Sequence, residues 1–342
     1  MENRKRTLEG LGVKMGKYWK INPYSGCRQI PTAFPGDSVG IVYCSSLEYM
    51  PVLNVSVRSL VASCAESDFY DIMILHREIE KQDQRSIQML AEGKENISIR
   101  FFNTDGILMG IEDPERYLPP MGLYRLYLPW ILPGRDRVII LGADTIVNSD
   151  PAELYRTTLS ETCVAGMFRE LSEEARNTRS RQYIDTDVLV LALSTIREGF
   201  SPNYCDDFLI PKRQYHLDRI ILTDVFNDRI TPLDARWNIA PEDLPASKTR
   251  KEVMCEAKIL HYWGAHKPWR EPMMFLAEEW WQVARGTVFY EELLRRLCIQ
   301  MPDTRSTIRK LVDWLLPKGS GRREFFKHFL SPLRYVVKNR QG

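Results

Sequence analysis

Residues 138–150, VIILGADTIVNSD, begin with four apolar residues, pass through glycine, and present the carboxylate of Asp144 before Thr145, Ile146 and Val147. A short apolar run between Pro133–Gly134 and the turn residues Asn148–Asp150 reads as a buried strand. An isolated aspartate at a strand end is ordinarily a turn residue or a helix cap. Flanked by apolar residues on both sides, though, this carboxylate needs a partner.

Outward from this strand the chain alternates. Upstream, VGIVYC (39–44) is a short β-rich run, and Leu53, Val57, Leu60, Val61 and Cys64 then fall on one helical face. DIMILH (71–76) follows as a strand, a polar helix closes on Gly93, and ISIRFF (97–102) is a third strand. LYRLYLPWILP (123–133) suggests a helix packed on the sheet, leading into RVIILG. TCVAGMF, VLVLAL and AKILHY supply later strands. Strand–helix alternation predicts an α/β fold with a mostly parallel central sheet covered by helices. In such sheets ligands bind beyond the carboxyl ends of the strands, which directs attention to Ser45, Ser46, Gly142–Asp144, Arg169 and His261. Asp150 before Pro151 reads as a helix cap, and His76 as a solvated residue at a strand end.

The chain has 342 residues, 44% hydrophobic, enough for a sizeable core. Its seven cysteines contain no C-x-x-C pair, which argues against a zinc ribbon or a disulfide framework. The longest purely apolar run is VLVLAL (188–193), far short of the roughly 18 residues of a membrane span, and the start MENRKRTLEG has no apolar signal core. The expectation is a cytoplasmic protein. Net charge is +2, but ten Lys and Arg follow position 304 against Asp313 and Glu324, a local +8, leaving −6 for the rest. That distribution, without a supporting motif, argues against nucleic-acid binding.

A second short segment changes the weight given to Asp144. In HYWGAHKPW (261–269) a histidine closes a strand, Gly264 follows, and Lys267 precedes Pro268. Histidine, a permissive glycine and a lysine in one loop suit a metal bound to a phosphate, although a lone histidine is more often structural.

With these residues in view the chain resembles family 8 glycosyltransferases over roughly residues 39–290. The landmarks are IVYCSSLEY, LYRLYLPWILPGRDRVIILGADTIVNSDPAELY, YIDTDVLVLALSTIRE, LDRIILTDVFNDRITPLDARWN and HYWGAHKPW, with Trp280 and Trp281 on a closing helix. The resemblance implies the GT-A nucleotide-sugar-binding fold and retaining transfer of a hexose from a nucleotide-sugar donor, usually UDP-linked. The acceptor would be a glycan or lipid-linked sugar of cell-surface polysaccharide assembly. It assigns Asp144 and His261 to one Mn²⁺ or Mg²⁺ bridging the donor phosphates. Lys267 and the Gly264 backbone would hold the diphosphate, and Arg125 would lie against the donor. Asp218, with Asp185, would position sugar and acceptor.

The chain departs from the family pattern at six pocket positions. Gly142 stands where the first aspartate of D-x-D belongs, and Ser46 and Glu48 replace polar residues that usually contact uracil and ribose. Asp185 and Asp187 replace the Asn and Gly of an N-x-G turn, and Arg219 replaces a glutamine. Two readings follow. The charge lost at Gly142 has moved to Asp185 or Asp187, or the chain is a catalytically silent relative that binds a glycan, a nucleotide or an active transferase.

Three segments are expected: a basic extension (1–38), the transferase domain (39–290) and a basic amphipathic tail (291–342). In REFFKHFLSPLRYVVKNR, Phe325, Phe326, Phe329, Leu330, Leu333, Val336 and Val337 gather near one helical face. That composition suits either an interfacial helix on the anionic inner face of a membrane or a helix docked on protein.

Overall fold

The computed structural model describes residues 20–21, 30–104, 108–109, 124–159, 161–170, 182–200, 222–223 and 225–300. Asp218, most of the N-terminal extension and the tail beyond residue 300 lie outside the described residues. The chain divides into two compact units, Met1–Leu293 and Leu294–Gly342, and the first contains the sheet and the site.

The first elements are β1 (Lys20–Ile21), β2 (Val39–Cys44), α1 (Met50–Ser63), β3 (Tyr70–His76), α2 (Lys81–Gln88), β4 (Ile97–Asn103) and β5 (Leu108–Met109). Next come α3 (Tyr124–Ile131), β6 (Arg137–Leu141), β7 (Thr145–Val147), α4 (Pro151–Tyr155), β8 (Val164–Glu170), β9 (Gln182–Ala192) and α5 (Leu193–Gly199). The last are β10 (Ile230–Pro232), α6 (Arg250–Glu256), β11 (Ile259–His261), α7 (Ala277–Ala284) and α8 (Tyr290–Gln300). Among the described residues no helix is long and apolar enough to cross a membrane.

Seven strands form one sheet in the order β10-β8-β9-β6-β2-β3-β4. The strand of the opening stretch, β6, lies at its centre. Its alternate residues feed two cores: Val138 and Ile140 pack with α3 and α5 on one face, Ile139 and Leu141 with α1 on the other. A strand covered on both faces has no polar side to show, which is why RVIIL reads as continuous apolar sequence. Neighbouring β2 repeats the device, with Val42 on one face and Ile41 and Tyr43 on the other.

The expected α/β class and mostly parallel sheet are present, with two refinements. Strand β9 pairs antiparallel with both β6 and β8. The AKILHY run does not enter the main sheet at all, since β11 pairs antiparallel with β7 in a separate ribbon, His261 opposite Thr145. Both refinements depend on pairing between distant segments, on which local apolar pattern is silent.

Helix ends follow local chemistry. The Asp150 side chain accepts from the Ala152 amide at 3.0 Å with Pro151 in the first turn, and Thr249 and Glu252 form a reciprocal capping box on α6. His76 is a correction: it is buried, and its Nδ1 accepts from the Ile79 amide at 3.2 Å, because the chain folds back over the end of β3.

Candidate active site

The site is built where β6 leaves the sheet. Gly142 is tied by its amide to the Asp187 carbonyl at 2.7 Å, so the end of β6 is locked against β9. Thr145 Oγ1 then donates back to the Gly142 carbonyl at 2.8 Å, turning the chain and lifting Asp144 above the sheet. The ribbon continues this pairing, with the Tyr262 amide donating to the Asp144 carbonyl at 3.0 Å. Segments far apart in sequence thus bring Asp144 and His261 side by side.

His261 is fully buried. Its Nδ1 lies 2.9 Å from Asn238 Oδ1, and that oxygen also accepts from Arg169 Nη2 at 3.2 Å. Guanidinium only donates, so the amide oxygen faces His261 and Nδ1 carries the proton. The other nitrogen, Nε2, has no hydrogen-bond partner and lies 3.5 Å from Asp144 Oδ1 and 3.7 Å from Asp187 Oδ2. Ligand atoms of Asp144, Asp187 and His261 all fall within 4.8 Å of one another, a spacing that one cation can span. Two carboxylate oxygens and an imidazole nitrogen fit a hard or borderline divalent ion such as Mn²⁺ or Mg²⁺.

Charges around this point are closely matched. Lys267 Nζ donates to Asp144 Oδ2 at 2.7 Å and to the Tyr262 carbonyl at 2.5 Å. Arg125, buried in α3, pairs with Asp187 Oδ1 at 2.7 Å. Arg169 Nε donates to Asp185 Oδ2 at 2.5 Å, its Nη1 also pairs with Asp243, and its guanidinium lies 4.6 Å over the Trp263 ring. Burial opposes charge on Asp144, but His261 and Lys267 outweigh it and hold that carboxyl well below the usual range. Burial likewise opposes the imidazolium of His261, yet the carboxylates of Asp185 and Asp144 push its pKa up to about 10.

Among the residues expected from sequence, Asp144, His261 and Lys267 converge directly, and Arg125 joins them through Asp187. Asp185 belongs elsewhere. Its carboxylate is 1% exposed, bonded to Arg169 and to the Asp187 amide (2.9 Å), and sits 3.4 Å from His261 Nδ1. It supports the histidine from behind, on the Nδ1 side. Ser46 is exposed at the end of β2, which runs parallel to β6, so it leaves the sheet at the edge that carries Asp144. Gly264 has φ +79° and turns the 262–267 loop, where a Cβ would meet Glu242 Oε2 at 2.5 Å. Glu242 Oε1 in turn accepts from the His266 amide at 3.2 Å, so a carboxylate already lies against the loop assigned to phosphate.

Sequence reasoning missed Asn238 and Glu242. Asn238 follows the buried Trp237 in a 3₁₀ turn, and only a polar residue at 0% exposure marks it. No local pattern marks Glu242. The tryptophans of RWN and KPW pack against neighbouring side chains: Trp237 lies under Lys258 Nζ at 4.6 Å, and Trp269 is 5.2 Å from Trp280.

Comparison with known proteins agrees with this architecture. Glycosyltransferase 8 domain-containing protein 2 of Bos taurus is 22% identical over 71% of this chain and 82% of its own length. A probable galacturonosyltransferase-like 9 of Arabidopsis thaliana is 27% identical over 65% of this chain and 64% of its own. Among solved structures, the galactosyltransferase LgtC superposes with a TM-score of 0.57 at 18% identity, covering 79% of this chain and 99% of that one. The bifunctional glycosyltransferase WbbM gives 0.66 at 19% identity over 78% of this chain, which spans about half (53%) of WbbM. The model for glycosyl transferase family 8 matches residues 40–272, and with a GT-A-like sheet whose central strand leads into Asp144 beside His261, the chain belongs to that family.

Proposed function

We propose that the protein is a metal-assisted, retaining hexosyltransferase that moves a sugar from a UDP-linked donor to a glycan or lipid-linked acceptor. The single observation that carries this is the buried Nε2 of His261 facing Asp144 at 3.5 Å and Asp187 at 3.7 Å, with Lys267 adjoining. A divalent ion bound there would neutralise the charge that a diphosphate gains as its glycosidic bond breaks. Asp144 and His261 would hold it, with Asn238 fixing the ring so that Nε2 is the free nitrogen. Lys267 places a cation at the same point and would pass from Asp144 to the donor phosphate, a point-charge contact on a flexible stem. Arg125 lies behind Asp187 and adds positive potential, Ser46 would face the nucleoside, and Asp218 would position acceptor and sugar. No enzyme nucleophile is required if the acceptor attacks from the face the diphosphate leaves, which keeps the anomeric configuration.

A second reading has a specific observation in its favour. Asp144 is compensated by Lys267 and Asp187 by Arg125 within the chain itself, an arrangement that a silent binding protein would also keep. Incubation with UDP-glucose, UDP-galactose and UDP-galacturonic acid, with Mn²⁺ or with chelator, separates the two. Release of UDP that requires Mn²⁺ supports transfer, whereas UDP binding without release under any condition supports the silent reading. The galacturonic acid donor is included because of the galacturonosyltransferase-like relatives. Placement in the cytoplasm, with the +8 tail at the inner membrane face, belongs to the same proposal and rests on composition. Co-sedimentation of the full chain with anionic vesicles at low salt tests it.

A further inference from the structure

Position 142 is glycine where the family's metal motif has its first carboxylate, and position 187 is aspartate where the family has glycine. The structure joins these two departures. An ideal Cβ at 142 would lie 2.8 Å from Asp144 Oδ1, 2.8 Å from Asp187 Cβ and 3.0 Å from Asp187 Cγ, so the Asp187 side chain, with an oxygen of Asp144, occupies the volume that a side chain on Gly142 would enter. The two residues are bound across β6 and β9 by the bond from the Gly142 amide to the Asp187 carbonyl. A carboxylate therefore reaches the same point in space from the neighbouring strand.

We infer that the metal carboxylate has changed strands: Asp187 ligates the ion in place of the residue missing at 142, and Gly142 is retained because Asp187 leaves no room for a side chain there. This rests on the metal-assisted reading above. Two observations choose Asp187 over Asp185. Asp187 Oδ2 faces Nε2 of His261, whereas Asp185 lies at the Nδ1 side and is bonded to Arg169. The two oxygens of Asp187 are also differentiated. Arg125 binds Oδ1, which fixes the carboxylate plane, while Oδ2 lies 3.7 Å from His261 Nε2. Arg125 is thus a positioning residue for the ligand.

The test is direct Mn²⁺ binding to the full chain without donor, by calorimetry or by loss of the free-ion paramagnetic signal, for wild type, Asp187→Asn, Gly142→Asp and Gly142→Asp/Asp187→Gly. Asp187→Asn keeps an oxygen for Arg125 and the shape of the side chain, so a folding defect is not expected, and circular dichroism checks it. Expected is one site in wild type and a loss of affinity of at least about tenfold in Asp187→Asn. Gly142→Asp should also weaken binding through steric conflict, and the double variant should recover affinity above either single one. Wild-type affinity in Asp187→Asn, alongside a wild-type protein that does bind, overturns the strand exchange and leaves the functional reading standing. Recovery no better than the sum of the single losses also overturns it. Absence of Mn²⁺ binding by wild type, with and without UDP, overturns both.

Discussion

If His261 holds a metal ion, loading the site must expel a proton, and the structure sets the size of that effect. In the metal-free protein the carboxylates of Asp185 and Asp144 overcome burial and raise the imidazole to about 10, while Asn238 binds Nδ1. The proton that leaves is therefore the one on Nε2, the nitrogen that faces Asp144 and Asp187. Only neutral imidazole ligates, so between pH 6 and 8 close to one proton should be released per Mn²⁺, and affinity should rise about tenfold per pH unit. Asp144 adds little to this slope, since its carboxyl is held far below that window. Calorimetry in two buffers of different ionisation enthalpy counts the protons directly. The metal-free fold should show the opposite trend. A histidine raised from 6.5 to about 10 contributes stability that is complete below pH 6.5 and is lost as pH rises through 10, so melting temperature should fall over that interval without Mn²⁺ and less steeply with it. Zero proton release with normal Mn²⁺ binding would refute the role given to His261.

Three further outcomes are expected. Asn238→Ala removes the acceptor that fixes the ring and should lower Mn²⁺ affinity about 10–100-fold, with a smaller Mn²⁺-induced rise in melting temperature than wild type, a difference that a purely structural defect would not produce. Glu242→Ala clears a carboxylate from the Gly264–His266 loop and should tighten UDP–Mn²⁺ binding about fivefold, from about 1 kcal/mol of like-charge repulsion at a wet site; weaker binding would mean that Glu242 braces the loop instead. Arg169→Met strands the buried Asp185 carboxylate and should cost about 3–5 kcal/mol in chemical denaturation, partly restored by adding Asp185→Asn.

Much of the architecture was legible because each element buries a face. VGIVYC and DIMILH coincide with β2 and β3 to within a residue, and Leu53, Val57, Leu60 and Val61 are all buried on α1. The direction of β9 was not legible, since a strand buried on both faces shows the same apolar run whichever way it points. Nor was the β7–β11 ribbon, which depends on two three-residue strands pairing across the chain. At the site, Asp144, His261 and Lys267 stood out as chemistry at strand ends. Asp185 and Asp187 could not be separated, because residues two apart on one strand share a face and only the tertiary partners, Arg169 for one and Arg125 for the other, distinguish them. Asn238 was invisible because its role lies in one hydrogen bond to a residue on another element.

The central claim is that one cation is held between Asp144, Asp187 and His261. Anomalous diffraction from a crystal soaked with Mn²⁺ and UDP measures it most directly. The account predicts a single manganese peak within coordinating distance of His261 Nε2 and of an oxygen from each aspartate, with the diphosphate completing its shell. A peak bound by Asp144 and phosphate alone, or no peak while UDP is well ordered, would contradict it.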